Sequence, residues 1–165
     1  MARRAVRLPK GVGLASPLKC LENARFGVGF GVIGAARDCF ERARDYSRDR
    51  QQFDGPIAKK QLIQAQLADM AAEIAKCSLI ALHFGRLKDA GQLSTLQVSL
   101  LKRDACRLAL DAARRARGIL GANGITVEYG VIRHMVNLES TYTYEGTDEI
   151  HTLALGRALT GISAF

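Results

Sequence analysis

The sequence contains no tryptophan and only three prolines in 165 residues, and aromatic residues make up 6% of it. Few prolines mean few enforced breaks, and with many Ala, Leu and Arg residues this composition favours helix throughout. No apolar run approaches the length that spans a bilayer, and the basic N-terminus leads into Pro9 and glycines instead of a signal-peptide core. We therefore expect one helical domain in the cytoplasm, without membrane insertion.

Paired metal-binding or disulfide-forming residues are also missing. The four cysteines include no CxxC pair, and the three histidines are isolated from one another. A domain of this length buries enough apolar surface to fold without a disulfide or a metal. We therefore predict reduced core cysteines in an intracellular protein and no metal site. The residues concerned are Cys20, Cys39, Cys77, Cys106, His83, His134 and His151.

Positive charge is in excess, since 24 Lys and Arg residues against 16 Asp and Glu give a formal net charge of +8. Such an excess suggests an anionic partner. The arginines are spread along helical segments, however, without the interleaved aromatic residues of a single-strand binder or the basic arm of a duplex binder. No nucleic-acid partner is predicted, and a solvated basic face or a site for a phosphate-bearing cofactor fits better.

Residues 1–17 are expected to form a flexible lead-in, because they hold two of the three prolines, several glycines and clustered positive charge. Helical periodicity begins near Leu18 and continues to about Arg50. The glycines from Gly27 to Gly34 predict close approach to a neighbour or a ligand if this segment is helical. Pro56 is predicted to open the second helix.

Apolar residues at steps of three and four predict two further long helices. The seam of the second comprises Ile63, Leu67, Met70, Ile74, Cys77, Ala81 and Phe84, and the Ala-rich seam of the third comprises Leu101, Ala105, Leu108, Ala112, Ala116 and Ile119. Shorter helices are predicted from about Val131 to Glu139 and from about Thr147 to Leu159. The predicted fold of residues 18–165 is an all-α, up-down helical bundle.

Three glycine-bearing joints punctuate these helices: Arg50 to Ile57, Leu120 to Ile125, and Tyr144 to Thr147. Each alone is more often an ordinary turn than a ligand site. In the third joint Glu145 precedes a glycine and a predicted helix start, where a carboxylate can be held outside regular structure and directed at a ligand. Glu145 is a candidate base, although the same residues also describe a plain turn with Thr147 as N-cap.

In this order and at this spacing the joints resemble those of the acyl-CoA dehydrogenases, flavoenzymes whose C-terminal helical domain has an R-x-Q/T-F-G-x-P joint, an L-G-G-N-G turn and a terminal Y-E-G-T. The resemblance covers about Leu18 to Phe165. Longer matches, such as Ile132 to His134 and Leu155 to Ala158, are most similar to the glutaryl-CoA dehydrogenase branch. On this resemblance we expect the chain to correspond to the C-terminal part of such an enzyme, without its N-terminal helical and middle β-domains.

The resemblance implies that an acyl-CoA thioester loses its α-proton to a carboxylate while its β-hydride passes to FAD. Glu145 matches the base, and its backbone N–H matches a donor that polarises the thioester carbonyl together with a flavin ribityl hydroxyl. The residues implied in substrate binding are Glu22, Asn23 and Arg25, near the CoA moiety and the catalytic loop, and Tyr144 and Gly146, near the acyl group.

For FAD, the resemblance implies that Arg50 meets the pyrophosphate with its planar donor fork and that Phe53 flanks the nucleotide. The further residues implied in FAD contact are Gln61, Gly118, Ile119, Leu120, Gly121, Ala122, Thr147 and Phe165, of which the segment 118–122 reaches FAD in a neighbouring subunit. From the residues alone, other roles stay open: Arg50 as a helix cap, Gln61 as a surface residue and Phe165 as a core residue.

The sequence also departs from the family pattern. Asp54 stands where the family usually has glycine, and its carboxylate near the cofactor phosphates is predicted to weaken FAD binding. Ala122 replaces the second glycine of the L-G-G-N-G turn, and Tyr142 replaces a smaller polar residue.

The resemblance implies partners as well: an acyl-CoA substrate, electron-transfer flavoprotein as electron acceptor, and a homotetramer assembled as a dimer of dimers. In the glutaryl branch, oxidation is coupled to loss of carbon dioxide, which gives crotonyl-CoA. A function of a different class stays open, in which the domain is a non-catalytic helical oligomerisation module or a truncated fragment.

Overall fold

The computed structural model describes residues 15–164, which form five α-helices and no β-strand. The helices are α1 (Ala15–Asp49), α2 (Gln61–Asp89), α3 (Thr95–Leu120), α4 (Val131–Thr143) and α5 (Asp148–Thr160), with short 3₁₀ turns at Ile57–Lys59, Gly121–Ile125 and Val127–Tyr129. The all-α fold predicted from the sequence is confirmed. Of the lead-in predicted for residues 1–17, residues 1–14 lie outside the described part, and Ala15–Pro17 belong to α1.

Local sequence signals account for several helix ends. Ser94 and Gln97 form a reciprocal capping box at the start of α3, and the Thr147 side chain accepts the Ile150 N–H at the start of α5. Gly121 ends α3 at a φ of +60°. Pro56, predicted to open the second helix, precedes the 3₁₀ turn instead, and α2 begins only at Gln61.

Contacts between helices show that α1 and α3 run in one direction, while α2 and α4 run in the opposite direction. The contacts that set these directions are Gly29 with Leu101, Asn123 with Tyr46, Lys88 with Asn23, Arg115 with Asp69, Arg114 with Glu139, and Cys106 with Thr141. This alternation is the up-down arrangement that the sequence predicts. Helix α3 packs against each of the other four helices.

The core lies along the predicted apolar seams. On α2, the residues from Met70 to Phe84 in the predicted seam are buried, and on α3 the alanines of the seam are fully enclosed. Gly29 explains the close approach of α1 to α3, because a Cβ at this position would lie 2.9 Å from Leu101 Cγ and 3.2 Å from the Lys102 backbone nitrogen. Three of the four cysteines are buried and all four are free, whereas Cys20 is exposed.

Among residues 15–164, no helix combines the length and the apolar character that crossing a membrane requires. Within the same range, no group of His, Cys, Asp and Glu side chains is arranged to hold a metal ion.

The helix directions place the joints at opposite ends of the bundle. We call the end that contains the Arg50 to Ile57 joint and the Gly121–Ile125 turn the cleft end. The other, which contains the turn from Tyr144 to Thr147 between α4 and α5, is the Glu145 end.

Candidate functional site

Glu145 lies in the turn between α4 and α5 and has an unusual backbone. Its φ is +60°, a left-handed conformation that residues with a Cβ rarely adopt. The following residue, Gly146, has a φ of +93°. The Oε2 atom of Glu145 is buried and has no hydrogen-bond partner. A buried, unpaired carboxylate oxygen is costly, so it marks a position where a ligand or a proton would be received.

Donors from three helices hold the carbonyl oxygens around this turn. Arg25 Nε donates to the Glu145 carbonyl at 2.8 Å, and His151 Nε2 lies 3.2 Å from the same oxygen. Lys102 Nζ donates to the Gly146 carbonyl at 2.7 Å and lies 3.4 Å from the Tyr142 carbonyl. The Glu145 backbone N–H, by contrast, has no acceptor among residues 15–164. The carbonyls are thus engaged while the N–H and carboxylate of Glu145 are left free.

Asp148, the acid at the start of α5 that follows this turn, has a structural role. Arg107 donates to both of its carboxylate oxygens, at 2.6 and 2.5 Å, and only 5% of Asp148 is exposed. The Arg107 guanidinium holds the pKa of Asp148 below its usual range. Asp148 therefore fixes the start of α5 and is not available as a base, which leaves Glu145 as the free acid of the turn.

A groove of about 290 Å³ runs beside the turn between α1 and α4. Its lining residues are Val28, Gly31, Val32, Ala35, His134, Asn137, Leu138, Thr141 and Tyr144. The lining is mostly apolar, and Tyr144 connects it directly to Glu145. His134 at the polar side is anchored by Asp38, whose Oδ2 lies 2.8 Å from His134 Nε2. Such a groove suits an apolar chain next to a small number of polar groups.

Two residues with an implied role near CoA make contacts within the bundle. Glu22 accepts a hydrogen bond from Thr95 at 2.5 Å, and Asn23 accepts one from Lys88 at 2.7 Å. Both line a cleft of about 180 Å³ at the Glu145 end. Of this segment, only Arg25 is brought into direct contact with the Glu145 turn.

The ring of His151 is 1% exposed and must be neutral to be stable there. Burial, with Lys102 nearby, lowers its pKa below the ordinary 6.5. Because a carbonyl only accepts, Nε2 carries the proton that meets the Glu145 oxygen. The structure of the turn therefore depends on a histidine that resists protonation.

We predict that His151 makes folding stability fall as the solution is acidified. Below pH 6.5 the unfolded chain takes up a proton that the folded chain excludes, so the free energy of unfolding declines by up to about 1.4 kcal/mol per pH unit. Urea unfolding at a series of pH values should show this decline in the natural chain and a shallower one in His151→Gln. Parallel curves for the two proteins would contradict the prediction.

At the cleft end, the structure brings together residues from two distant parts of the sequence. A cleft of about 310 Å³ is lined by Tyr46, Arg50, Gln52, Phe53, Ile57, Ile119, Leu120, Gly121, Ala122 and Asn123. Six of these are implied FAD contacts. Arg50 is exposed and lines the cleft, and its side chain makes no ion pair or hydrogen bond within the described part of the chain, so its donors remain available. Asn123 donates to the Tyr46 hydroxyl at 3.1 Å, which ties the two walls together.

A tight reversal presents Phe53 to solvent beside this cleft. The Gln52 N–H bonds to the Gly55 carbonyl at 2.9 Å, and the two residues between them, Phe53 and Asp54, have φ values of +51° and +64°. Both values are unfavourable for side chains other than glycine. The Phe53 ring is nonetheless 80% exposed, with the Lys60 ammonium 5.7 Å from its centre. An exposed ring on a strained turn is typical of a ligand contact.

Other implied FAD contacts lie elsewhere. Gln61 is exposed at the start of α2, and neither it nor Gly118 lines the cleft. Thr147 caps α5 at the opposite end of the bundle. Phe165 lies outside the described residues.

The two sites are far apart within one chain. Along α1, 24 residues separate Arg25 from Asp49. Arg25 contacts Glu145, and Asp49 directly precedes Arg50. At a rise of about 1.5 Å per residue, the helix keeps them about 36 Å apart.

Sequence reasoning did not identify Lys102, His151 or the Tyr46–Asn123 pair. For Lys102 a signal exists: with Val98, Ala105 and Ala109 it follows the helical spacing of a buried face, on which a lysine is unusual. The others carry no comparable signal.

Known proteins are similar to this chain in sequence and in fold. A family model described as the acyl-CoA dehydrogenase C-terminal domain matches residues 11–160. The chain is 33% identical over 150 residues to a short-chain specific acyl-CoA dehydrogenase from Megasphaera elsdenii, a match that covers 91% of this chain and 39% of that protein.

Among solved structures, a glutaryl-CoA dehydrogenase from Mycobacterium smegmatis matches with a TM-score of 0.95 and 56% identity, over 98% of this chain and 42% of that one. A glutaryl-CoA dehydrogenase from Mycobacterium smegmatis in complex with FADH2 matches with a TM-score of 0.93 and 49% identity, over 95% of this chain and 41% of that one. The chain therefore spans about two-fifths of the length of these relatives.

Proposed function

Because the chain belongs to the acyl-CoA dehydrogenase family, as its C-terminal helical domain, we propose that it supplies the base and part of the FAD site of an enzyme that oxidises an acyl-CoA thioester. The observation that carries this proposal is the free carboxylate of Glu145, held in a left-handed turn with Oε2 buried and unpaired.

In the proposed reaction Glu145 removes the α-proton of the thioester. An ionised carboxylate accepts protons only, and its unpaired Oε2 has no competing donor within the described residues. The other acid of the turn, Asp148, is held by Arg107. General-base catalysis by a carboxylate fixed in this way contributes about 10²- to 10⁴-fold to a rate.

The Glu145 backbone N–H is the proposed donor to the thioester carbonyl. It lacks an acceptor in residues 15–164, whereas the neighbouring carbonyls are occupied by Arg25, His151 and Lys102. A fixed N–H directed at a developing oxyanion stabilises the transition state more than the ground state. The turn thus offers a base and an oxyanion donor on the same residue.

The residues of the cleft end fit the dinucleotide part of FAD. Arg50 has an unpaired guanidinium for the pyrophosphate, Phe53 offers an exposed ring, and Gly121 leaves room for backbone approach. When bound, FAD supplies the acceptor for the β-hydride. Asp54, exposed beside Phe53, is a nearby group expected to repel phosphate.

The separation of the two sites supports an assembly of at least two copies. Along α1, Arg25 beside Glu145 lies about 36 Å from Asp49 beside Arg50, so the two sites are at opposite ends of the bundle. We propose that the cleft end of one copy completes the FAD site of another, within a homotetramer. Several large apolar side chains are exposed and available for assembly contacts: Leu62, Leu79, Leu82, Leu159 and Ile162.

For the substrate, we propose a short acyl-CoA of the glutaryl type, oxidised with loss of carbon dioxide. The support is the 56% identity to the Mycobacterium smegmatis enzyme. On the family resemblance, electron-transfer flavoprotein is the proposed electron acceptor.

A second candidate function is a non-catalytic assembly module. It is favoured by the same exposed apolar side chains, which have a use in oligomerisation even without a cofactor. In that case the purified chain would be an oligomer that does not bind FAD.

An FAD titration of the purified chain tests the cofactor part of the proposal. We predict binding that weakens at least tenfold in Arg50→Met, because a charge-assisted hydrogen bond to phosphate contributes about 1.5–3 kcal/mol. Arg48→Met is the matched control, since Arg48 is exposed two residues before Arg50, at the end of α1, but does not line the cleft. Solution mass measured in parallel reports the oligomer.

Equal FAD affinities for Arg50→Met and Arg48→Met would remove Arg50 from the site. An oligomer that binds no FAD at all would support the assembly module instead. FMN, which lacks the adenylate and the pyrophosphate bridge, should bind more weakly than FAD if the cleft holds that part of the cofactor.

A further inference from the structure

Lys102 is the largest fully buried side chain of the described residues, with 1% of its surface exposed. It lies in the second turn of α3, on the face that carries the alanine seam. A buried ammonium group is unfavourable unless its donors are satisfied. The partners of Lys102 therefore explain why a lysine occupies this position.

Those partners are backbone carbonyl groups that lie before and after Glu145 in the chain. Nζ donates to the Gly146 carbonyl at 2.7 Å, immediately after the base, and contacts the Tyr142 carbonyl at 3.4 Å, three residues before it. Tyr142 is in the last turn of α4, where carbonyl groups lack helical partners and carry partial negative charge. One ammonium group thus joins the end of α4 to the glycine that leads into α5.

These two contacts of Lys102 help to hold the strained backbone of the turn. Glu145 has a φ of +60°, which persists only where surrounding contacts impose it. Arg25 and His151 hold the Glu145 carbonyl, while Lys102, alone among the side chains of residues 15–164, engages the carbonyls on both sides of that residue. None of these donors touches the Glu145 carboxylate, whose Oε2 is unpaired.

We propose that Lys102 is a positioning residue for Glu145, fixing the turn by its two carbonyl contacts so that Oε2 of the carboxylate stays buried and unpaired. The proposal rests on the proposed role of Glu145 as base. A shorter or neutral side chain would not supply the several donors that an ammonium group directs at two carbonyls.

The full chain tests this proposal by NMR, with Lys102→Met as the variant that keeps side-chain length and removes the donors. Amide exchange is followed at Tyr144 and His151, whose N–H groups bond to Ser140 and Thr147 on either side of the turn. The ¹³C carboxyl resonance of Glu145, assigned with Glu145→Gln, reports whether the environment of the partly buried carboxylate changes. Leu110→Ala, a core change on the same helix at a residue that is 4% exposed, is the control for general loss of stability.

In Lys102→Met we expect the two amides to exchange at least tenfold faster relative to the amides of α1, and the Glu145 resonance to move to that of an exposed glutamate. Leu110→Ala should leave both the ratio and the resonance unchanged. If Lys102→Met does not fold, Lys102→Gln, which can still bond one carbonyl, is compared in the same way.

Identical behaviour of the lysine variant and Leu110→Ala would overturn the proposal, because Lys102 would then act only on global stability. These measurements use neither FAD nor acyl-CoA. A released turn in Lys102→Met, together with acyl-CoA oxidation that survives Glu145→Gln in an enzyme with the remaining domains, would therefore uphold the role of Lys102 and reject Glu145 as base.

Discussion

Replacing Glu145 by glutamine should reduce acyl-CoA oxidation by about 10³-fold or more without loss of FAD, since general-base catalysis contributes up to about 10⁴-fold. The amide has nearly the shape of the carboxylate but does not accept the α-proton. Because Oε2 of Glu145 has no hydrogen-bond partner, the change breaks no contact of that atom. The expected effect is therefore confined to catalysis.

The measurement requires the remaining domains of a full-length relative, because the chain matches about two-fifths of the length of those proteins. A chimera in which this chain replaces the matched 42% of the Mycobacterium smegmatis glutaryl-CoA dehydrogenase provides them, given the TM-score of 0.95 between the two. Loss of flavin colour after anaerobic mixing with glutaryl-CoA gives the rate, and released FAD gives the cofactor content.

Glu149→Gln is the matched control for this experiment. It makes the same chemical change four residues away, on an exposed side chain in the first turn of α5. We expect its rate to remain near that of the unmodified chimera. If Glu145→Gln lost its flavin colour as fast as the unmodified chimera, Glu145 would not be the base. A fall in FAD content would instead indicate that the substitution has a structural effect.

Much of the bundle follows from local pattern. The seam from Met70 to Phe84 is buried as its spacing predicts, and α3 packs closely because alanines occupy its inner face. The family resemblance is confirmed by the family model. These features depend on spacing and residue size within one segment, which a sequence displays directly.

The conformation of the Glu145 turn does not follow from local pattern. Its left-handed backbone is held by Arg25 and Lys102, which lie 120 and 43 residues earlier in the chain. Glycine spacing indicated a turn, but only the packing of α1, α3 and α5 determines which carbonyls are engaged and which N–H is free. The same limit applies at Pro56, where the bridge between Gln51 and Pro56 imposes a 3₁₀ turn before α2 begins.

In the Leu120 to Ile125 turn, one feature follows from the local sequence and another only from the packing. From the sequence, either Gly121 or Gly124 is able to take a positive φ. In the structure Gly121 does so, at +60°, whereas Gly124 is required for space. A Cβ on Gly124 would lie 2.3 Å from the Arg117 carbonyl oxygen and 2.9 Å from its Cα. The two glycines therefore serve different purposes in one turn.

Gly124→Ala should accordingly destabilise the fold by about 3 kcal/mol, near the upper end for an overpacked core. The atoms in the way belong to the backbone of α3, so no side-chain rotation relieves the contact. The last turn of α3 or the segment after it must move, and this segment lines the cleft through Leu120 to Asn123. We therefore expect FAD affinity to fall at least tenfold at temperatures where the variant is still folded.

Gly85→Ala is a control for which we expect a change of opposite sign in the free energy of unfolding. Gly85 lies inside α2, and no neighbouring atom lies within 4 Å of the position that an alanine Cβ would take, so alanine should stabilise the helix by about 0.5–1 kcal/mol. Urea unfolding and FAD titration of both variants separate the effects. A Gly124→Ala protein with natural stability and natural FAD affinity would show that the turn yields easily, and that its close packing does not shape the cleft.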